Sequence, residues 1–291
     1  MATKLQKVAL RTIVGGTLVV VLGLVLDAAY ESTTGLVVWT AGCVMAAGCV
    51  FETLRLRELV SRELAVGLGL GFLASLLPGA WHYFGGDLGL EGELFGVDYP
   101  SARAVALSYL LAGVTTLLWA ALFARRSARP VLGLGLAVWI LAPLPALTLV
   151  WSDYGASGLL ALVLLSKIGD VFGYYVGNAI GKGHPFPTIS PGKTTAGCVA
   201  SLVAGTLAGA ACVELELLPG GREALLQGLL AGASINLGSQ AGDLLESKLK
   251  RVAGVKDSGP WFGPSGGFLD LVDSLLVSVP VALVTWPLLF S

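Results

Sequence analysis

Three carboxylates near the end of the chain, Asp243, Asp270 and Asp273, stand among apolar residues. An ionisable group inside a membrane-length apolar stretch is costly and points to function by default. Asp270 and Asp273 are one helical turn apart, and two acids on one face repel unless a cation lies between them. Acids at the start of a helix are also favoured by its macrodipole, so that simpler reading stays open for the pair. With Asp243 facing them, the three would offer hard oxygen donors to Mg2+, which shares its coordination with phosphates. Around Asp243, the residues Asn236, Gln240, Asp243, Ser247 and Lys250 recur at spacings of 4, 3, 4 and 3. Such spacing makes one polar stripe on a helix, bordered by Glu246. A Glu246–Lys250 pair is an ordinary feature of a helix end. It does not account for Asn236 through Asp243 among Leu, Ala and Gly.

Upstream, Lys167 and Asp170 are one turn apart and are followed by Gly173, Tyr174 and Gly177. An intramembrane Lys–Asp pair serves either as a structural lock or as the wall of a polar cavity, and this segment alone favours neither. The Gly- and Pro-rich stretch 181–195 reads as a shaped loop. Within it Ser190, Lys193 and Thr194 offer hydroxyls and an ammonium to phosphate oxygens, at the positive end of the following helix. The run 177–182 follows a helix and is too short between its glycines for a P-loop. A second loop gathers Lys248, Lys250, Arg251, Lys256 and Asp257 before Gly259, Pro260, Gly263 and Pro264. Bases facing anionic lipid heads explain such a cluster cheaply, but here they adjoin carboxylates, a mixture that suits a metal–nucleotide site.

The elements that must position these groups are membrane helices. Of 291 residues 55% are hydrophobic and 13% charged, against about 25% charged in a soluble domain. The mean hydropathy is +0.81. These values exclude a soluble enzyme, a disordered tail and a disulfide scaffold, and a net charge of −1 gives no basic field for nucleic acid. An all-α polytopic membrane protein is expected, with about nine spans near 12–29, 35–51, 64–80, 104–123, 131–151, 156–181, 194–217, 223–245 and 267–290. Bases cluster in alternate breaks: Lys4/Lys7/Arg11, Arg55/Arg57/Arg62, Arg125/Arg126/Arg129, Lys182/Lys193 and Lys248 to Lys256. The positive-inside rule then places the N-terminus in the cytoplasm, the C-terminus outside and the polar loops on the cytoplasmic side of the inner membrane. Two regions are expected, 1–150 with clean spans and 151–291 with polar groups inside them. The first span reads as retained, since Asp27 stands where a signal-peptide cleavage site would be wanted. Cys43, Cys49, Cys198 and Cys212 lie in apolar runs and read as packing residues, and His82 and His184 suggest neither a metal site nor a triad.

The polar segments together resemble the phosphatidate cytidylyltransferase (CDP-diacylglycerol synthase) family. The resemblance rests on Asp170-x-x-Gly173-Tyr174-x-x-Gly177, on Ile189-Ser190-Pro191-Gly192-Lys193-Thr194, and on Gly242-Asp243-Leu244-Leu245-Glu246-Ser247 continuing to Lys250-Arg251. It continues through Lys256-Asp257-Ser258-Gly259 to Gly266-Gly267 and Asp270-Leu271-Val272-Asp273. Three positions depart from the family pattern: Ser265 replaces His, Leu271 replaces Arg, and Ala196 replaces Glu. The resemblance implies attack of a phosphatidate oxygen on the α-phosphorus of CTP, giving CDP-diacylglycerol and pyrophosphate. It implies Mg2+ on Asp243, Asp270 and Asp273 with Glu246 in support. Phosphates would be gripped by Ser190, Lys193, Lys250, Arg251 and Lys256, with Asp170, Tyr174, Thr194 and Ser247 in the same substrate site. Asp257 would orient a lysine or a second cation, and the family implies a homodimer. The departures leave room for an inactive or divergent member, and the polar stripe for a transporter.

Overall fold

The computed structural model of the chain describes residues 4–55, 60–84, 101–123, 135–141, 143–263 and 266–290, and among these there is no strand. The helices are α1 (Lys4–Glu31), α2 (Leu36–Arg55), α3 (Arg62–Phe84), α4 (Ala102–Phe123), α5 (Leu147–Ile180), α6 (Thr195–Glu214), α7 (Leu225–Val252), α8 (Phe268–Val272) and α9 (Leu275–Leu289). Among the described residues, five stretches are long and apolar enough to cross a membrane: α2, α3, α5, α6, and Phe268–Leu289, which joins α8 and α9. With its polar stripe and its charges from Asp243 to Arg251, α7 falls outside that set. The expected bases Arg57, Arg125, Arg126 and Arg129, and the departure at Ser265, lie outside the described residues.

Two expected spans take a different form. The described part of 131–151 is a π-helical turn at Ala137–Leu141, then a turn at 143–146 before α5 begins. Pro143 and Pro145 explain this, because each lacks an amide hydrogen and clashes with the preceding turn of a helix. The break expected near Asp153 is a bend inside α5, where Gly155 adopts φ 67° and ψ −169°. The span 267–290 is divided, with α8 ending at Val272 and α9 starting at Leu275. Between them Asp273 Oδ1 accepts a hydrogen bond from Ser274 N at 2.6 Å.

The chain forms two compact units, residues 1–152 with 257–271 and residues 153–256 with 272–291. In the first, α3 and α4 pack through Thr116, whose hydroxyl lies 2.7 Å from Ala112 O and 3.2 Å from Gly67 O. Trp151 Nε1 donates to Ala29 O at 3.0 Å. In the second, α5, α6, α7 and α9 enclose a core that includes Leu162, Leu165, Ile235, Leu276 and Trp286. Hydroxyls join the helices: Ser239 Oγ donates to Ser166 O at 2.7 Å, and Ser278 Oγ to Ile235 O at 3.3 Å.

Small residues set the α6–α7 distance. A Cβ on Gly209 would lie 2.7 Å from Gly232 Cα and closer still to Gly228 O, so the two backbones touch there. In lipid, where no hydrophobic force drives helices together, such contact supplies much of the packing energy. Gly209→Val should therefore destabilise the detergent-solubilised protein by about 3 kcal/mol, read as a lowered thermal midpoint. Gly69→Ala should leave that midpoint unchanged or raise it, because a Cβ there meets nothing within 4 Å.

Candidate functional site

Four segments of the second unit bring the site together. Helix α5 supplies Lys167 and Asp170, α7 supplies Asp243, and the turn before α9 supplies Asp273. The fourth is the loop leading into α6. It is held by backbone bonds from Gly181 N to Gly177 O (3.0 Å), Ser190 N to Phe186 O (2.9 Å), Lys193 N to Ser190 O (3.1 Å) and Thr195 N to Gly183 O (2.9 Å). Thr194 caps α6 from an extended backbone, its hydroxyl accepting from Gly197 N at 3.1 Å. The cap fixes where α6 begins and so where Lys193 projects.

Lys193 Nζ reaches Asp243 Oδ2 at 3.1 Å, and Lys167 Nζ reaches Asp273 Oδ1 at 3.5 Å. Asp243 is close enough to Asp170 to share a hydrogen bond with it, and it faces Asp273 electrostatically. The side chains of Asp243 and Asp273 are 13% and 15% exposed, so these two acids lie largely out of water, while Lys167 is 38% exposed. Below them Asn236 Nδ2 donates to Ser201 Oγ at 3.1 Å, and Gln240 Nε2 donates to Asn236 Oδ1 at 2.8 Å. The upper half of the α7 stripe is thus satisfied internally and holds α6 against α7.

The cluster borders a cavity of about 420 Å³ lined by Asp170, Tyr174, Lys193, Thr194, Ser201 and Gln240, with glycines between them. Its floor is backbone: a Cβ on Gly197 would come within 2.7 Å of Gly173 O. Glycine at both positions lets α5 and α6 touch and leaves main-chain groups facing the space. A volume in the range of about 300–1,000 Å³ with a few convergent polar groups suits a small ligand. Lys167 and Asp170, open at the sequence level between lock and cavity wall, thus serve the cluster, with Asp170 lining the space.

The other expected residues stand differently. Lys250 Nζ lies 2.6 Å from Glu246 Oε2, both are buried, and neither lines the cavity. Arg251 is exposed and donates from Nη1 to Val255 O at 3.1 Å, and Lys256 and Asp257 are exposed. Ser190 and Ser247 are half-buried outside the lining. Asp270 falls in the first unit, where Oδ2 accepts from Ser258 N (2.9 Å) and Gly267 N (2.8 Å) and lies 2.6 Å from Ser258 Oγ. The acids that the second unit brings together are therefore Asp170, Asp243 and Asp273.

A residue the sequence reading missed is Glu52 of α2, which is fully buried in the first unit. It accepts from Phe268 N at 2.8 Å, Leu269 N at 2.9 Å and Ser258 Oγ at 2.7 Å. The signal was available as a lone acid at the end of an apolar run, but beside Arg55 it reads as an interfacial charge.

Among the described residues no three His, Cys, Asp or Glu side chains stand in preformed metal-ligating geometry. The donor chemistry nonetheless fits a hard divalent cation, since three mutually repelling carboxylates share a half-closed site with two ammonium groups.

Comparison with known proteins bears on the family. A model described as the cytidylyltransferase family matches residues 9–289. A phosphatidate cytidylyltransferase of Aquifex aeolicus is 38% identical over 141 residues, 47% of this chain and 51% of that protein. One of Helicobacter pylori is 39% identical over 127 residues, 44% of this chain and 46% of that protein. An uncharacterized Escherichia coli protein is 34% identical over 155 residues, 52% of this chain and 48% of its own length. The chain thus spans about half the length of the curated relatives it matches. The family match takes in the helices of both units together with every segment of the acid–lysine cluster, and the chain belongs to the cytidylyltransferase family.

Proposed function

We propose that this chain transfers the cytidylyl group of CTP to phosphatidate. A phosphatidate oxygen attacks the α-phosphorus of CTP, the bond to the bridging oxygen of the β-phosphate breaks, and CDP-diacylglycerol and pyrophosphate leave. The observation that carries this reading is the cluster of Asp170, Asp243, Asp273, Lys167 and Lys193 beside the cavity. It is supported by the names of the Aquifex and Helicobacter relatives.

A phosphate monoester is largely anionic at neutral pH, so no activated side chain is needed to make it a nucleophile. The task is to hold two anions together and to stabilise charge as it develops on phosphoryl oxygens. Asp170, Asp243 and Asp273 would hold Mg2+, which when bound supplies positive charge against the triphosphate. Lys193 binds phosphate oxygens at the mouth of α6, and Lys167 keeps Asp273 oriented. Thr194 and Tyr174 line the space for the nucleotide, and the capped turn of α6 orients Lys193. Arg251 and Lys256, both exposed, meet phosphates of the lipid surface. The proposal includes nine spans in the inner membrane, with the N-terminus and the site facing the cytoplasm and the C-terminus outside, and a homodimer.

The test is pyrophosphate release by purified protein in detergent, supplied with CTP, phosphatidate and Mg2+. Release that needs all three is expected. Binding of CTP with no release would indicate an inactive member, a reading that Leu271 in place of Arg supplies with a motive. Uptake of solute into vesicles with no release would indicate a transporter.

A further inference from the structure

The segment 257–270 carries much of the family pattern, and its fixed points converge on one side chain from the far end of the sequence. Glu52 Oε1 accepts from Phe268 N, while Oε2 accepts from Leu269 N and from Ser258 Oγ. Ser258 Oγ also lies 2.6 Å from Asp270 Oδ2, so one hydroxyl joins the two acids. The glycines of the segment fit around the same carboxylate. A Cβ on Gly259 would lie 2.9 Å from Glu52 Cδ and closer to Oε1, and one on Gly267 would collide with both carboxylate oxygens. On α2, one turn before Glu52, a Cβ on Gly48 would meet the Phe268 ring at 2.6 Å or closer. The neighbouring Phe51 packs edge-on to Trp261, with centroids 5.9 Å apart.

From this geometry we infer that Glu52 is a positioning residue for the transfer reaction, the socket around which residues 257–263 and 266–270 are arranged. The inference rests on the proposed transfer reaction and on the family resemblance of that segment, by which Asp257 and Asp270 would serve it. A carboxylate is required because two consecutive backbone N–H groups and a hydroxyl need acceptors on both oxygens. Glutamine cannot substitute, because its NH2 would face one of those donors and leave a buried amide unsatisfied. Gly259 and Gly267 are required because the socket leaves no room for a Cβ.

Two readouts on the full-length protein test this. The first is tryptic cleavage after the exposed Lys256, which reports on the segment without needing any reaction. Glu52→Gln and Glu52→Ala should each be cut at least about 10-fold faster than wild type, while Glu31→Gln, on an exposed turn of α1, should not. The second is cytidylyl transfer, where kcat should fall about 10- to 100-fold in both Glu52 variants, the scale of a small misplacement. Should the Glu52 variants fail to fold, Gly259→Ala provides the same displacement from the other side. It should itself be cut roughly 10-fold faster than wild type, and where Glu52→Ala does fold, the effect should vanish in that background, with no carboxylate left to collide with. Wild-type cleavage and kcat in Glu52→Gln, or additive effects of Glu52→Ala and Gly259→Ala, would overturn the inference. Absence of transfer in wild type would overturn the reaction alone, since proteolysis still reads the socket.

Discussion

Asp243→Asn is expected to lower cytidylyl transfer by at least about 1,000-fold while leaving the protein as stable as wild type or more so. The two halves of that result have one cause. Asp170, Asp243 and Asp273 carry three negative charges against the two positive charges of Lys167 and Lys193, so the free site has an excess acid. Asparagine at 243 keeps the shape and leaves two acids facing two bases, which relieves repulsion in the free protein. Lys193 keeps a counter-charge, because Asp170 lies near it as well. The same change removes a donor of the proposed cation site that faces both other acids. An interaction made mainly when substrate charge develops is lost from kcat more than from folding. Pyrophosphate release and a thermal melt on the same preparation check both halves. Full activity at limiting Mg2+ would remove Asp243 from the site.

Much of this arrangement was legible in the sequence, and the reason is helical periodicity. Asn236, Gln240 and Asp243 declare a face by spacing alone, and the structure turns that face toward Ser201 and Lys193. Lys167 and Asp170 are likewise one turn apart on a continuous part of α5. The same rule applies only while a helix continues. Asp270 and Asp273 share a face only if the helix runs through both, and α8 ends at Val272. Asp270 then turns to Ser258 and Gly267, and Asp273 to Ser274 and Lys167. The fifth expected span takes a broken form for a related reason, since hydropathy counts Pro143 and Pro145 as tolerable while hydrogen bonding does not. Glu52 showed in the sequence only as a lone acid, and what it binds was out of reach. Its partners lie 206 to 217 residues away, and no local pattern encodes which distant amides a lone acid will meet.

Lys193→Met should produce the opposite stability change with a similar direction in activity. Methionine keeps the apolar stem and removes the ammonium, leaving three acids against Lys167 alone. A unit charge about 4 Å away is worth about 4 kcal/mol at an effective dielectric near 20. Lys193 is 24% exposed, which moves its real contribution below that bound. A loss of about 100-fold in kcat/KM for CTP follows, together with destabilisation of about 1 kcal/mol from the exposed acid excess. Added Mg2+ should recover part of the lost activity, because a cation among the acids offsets the charge that Lys193 supplied. No such recovery is available to Asp243→Asn, which has lost the donor itself. Lys193→Arg tests shape against charge: the guanidinium keeps the positive charge but must fit beside a glycine-lined floor, so an intermediate loss of about 10-fold is expected. Equal losses for Met and Arg, unmoved by Mg2+, would mean that Lys193 acts through the fit of its stem and not through its charge.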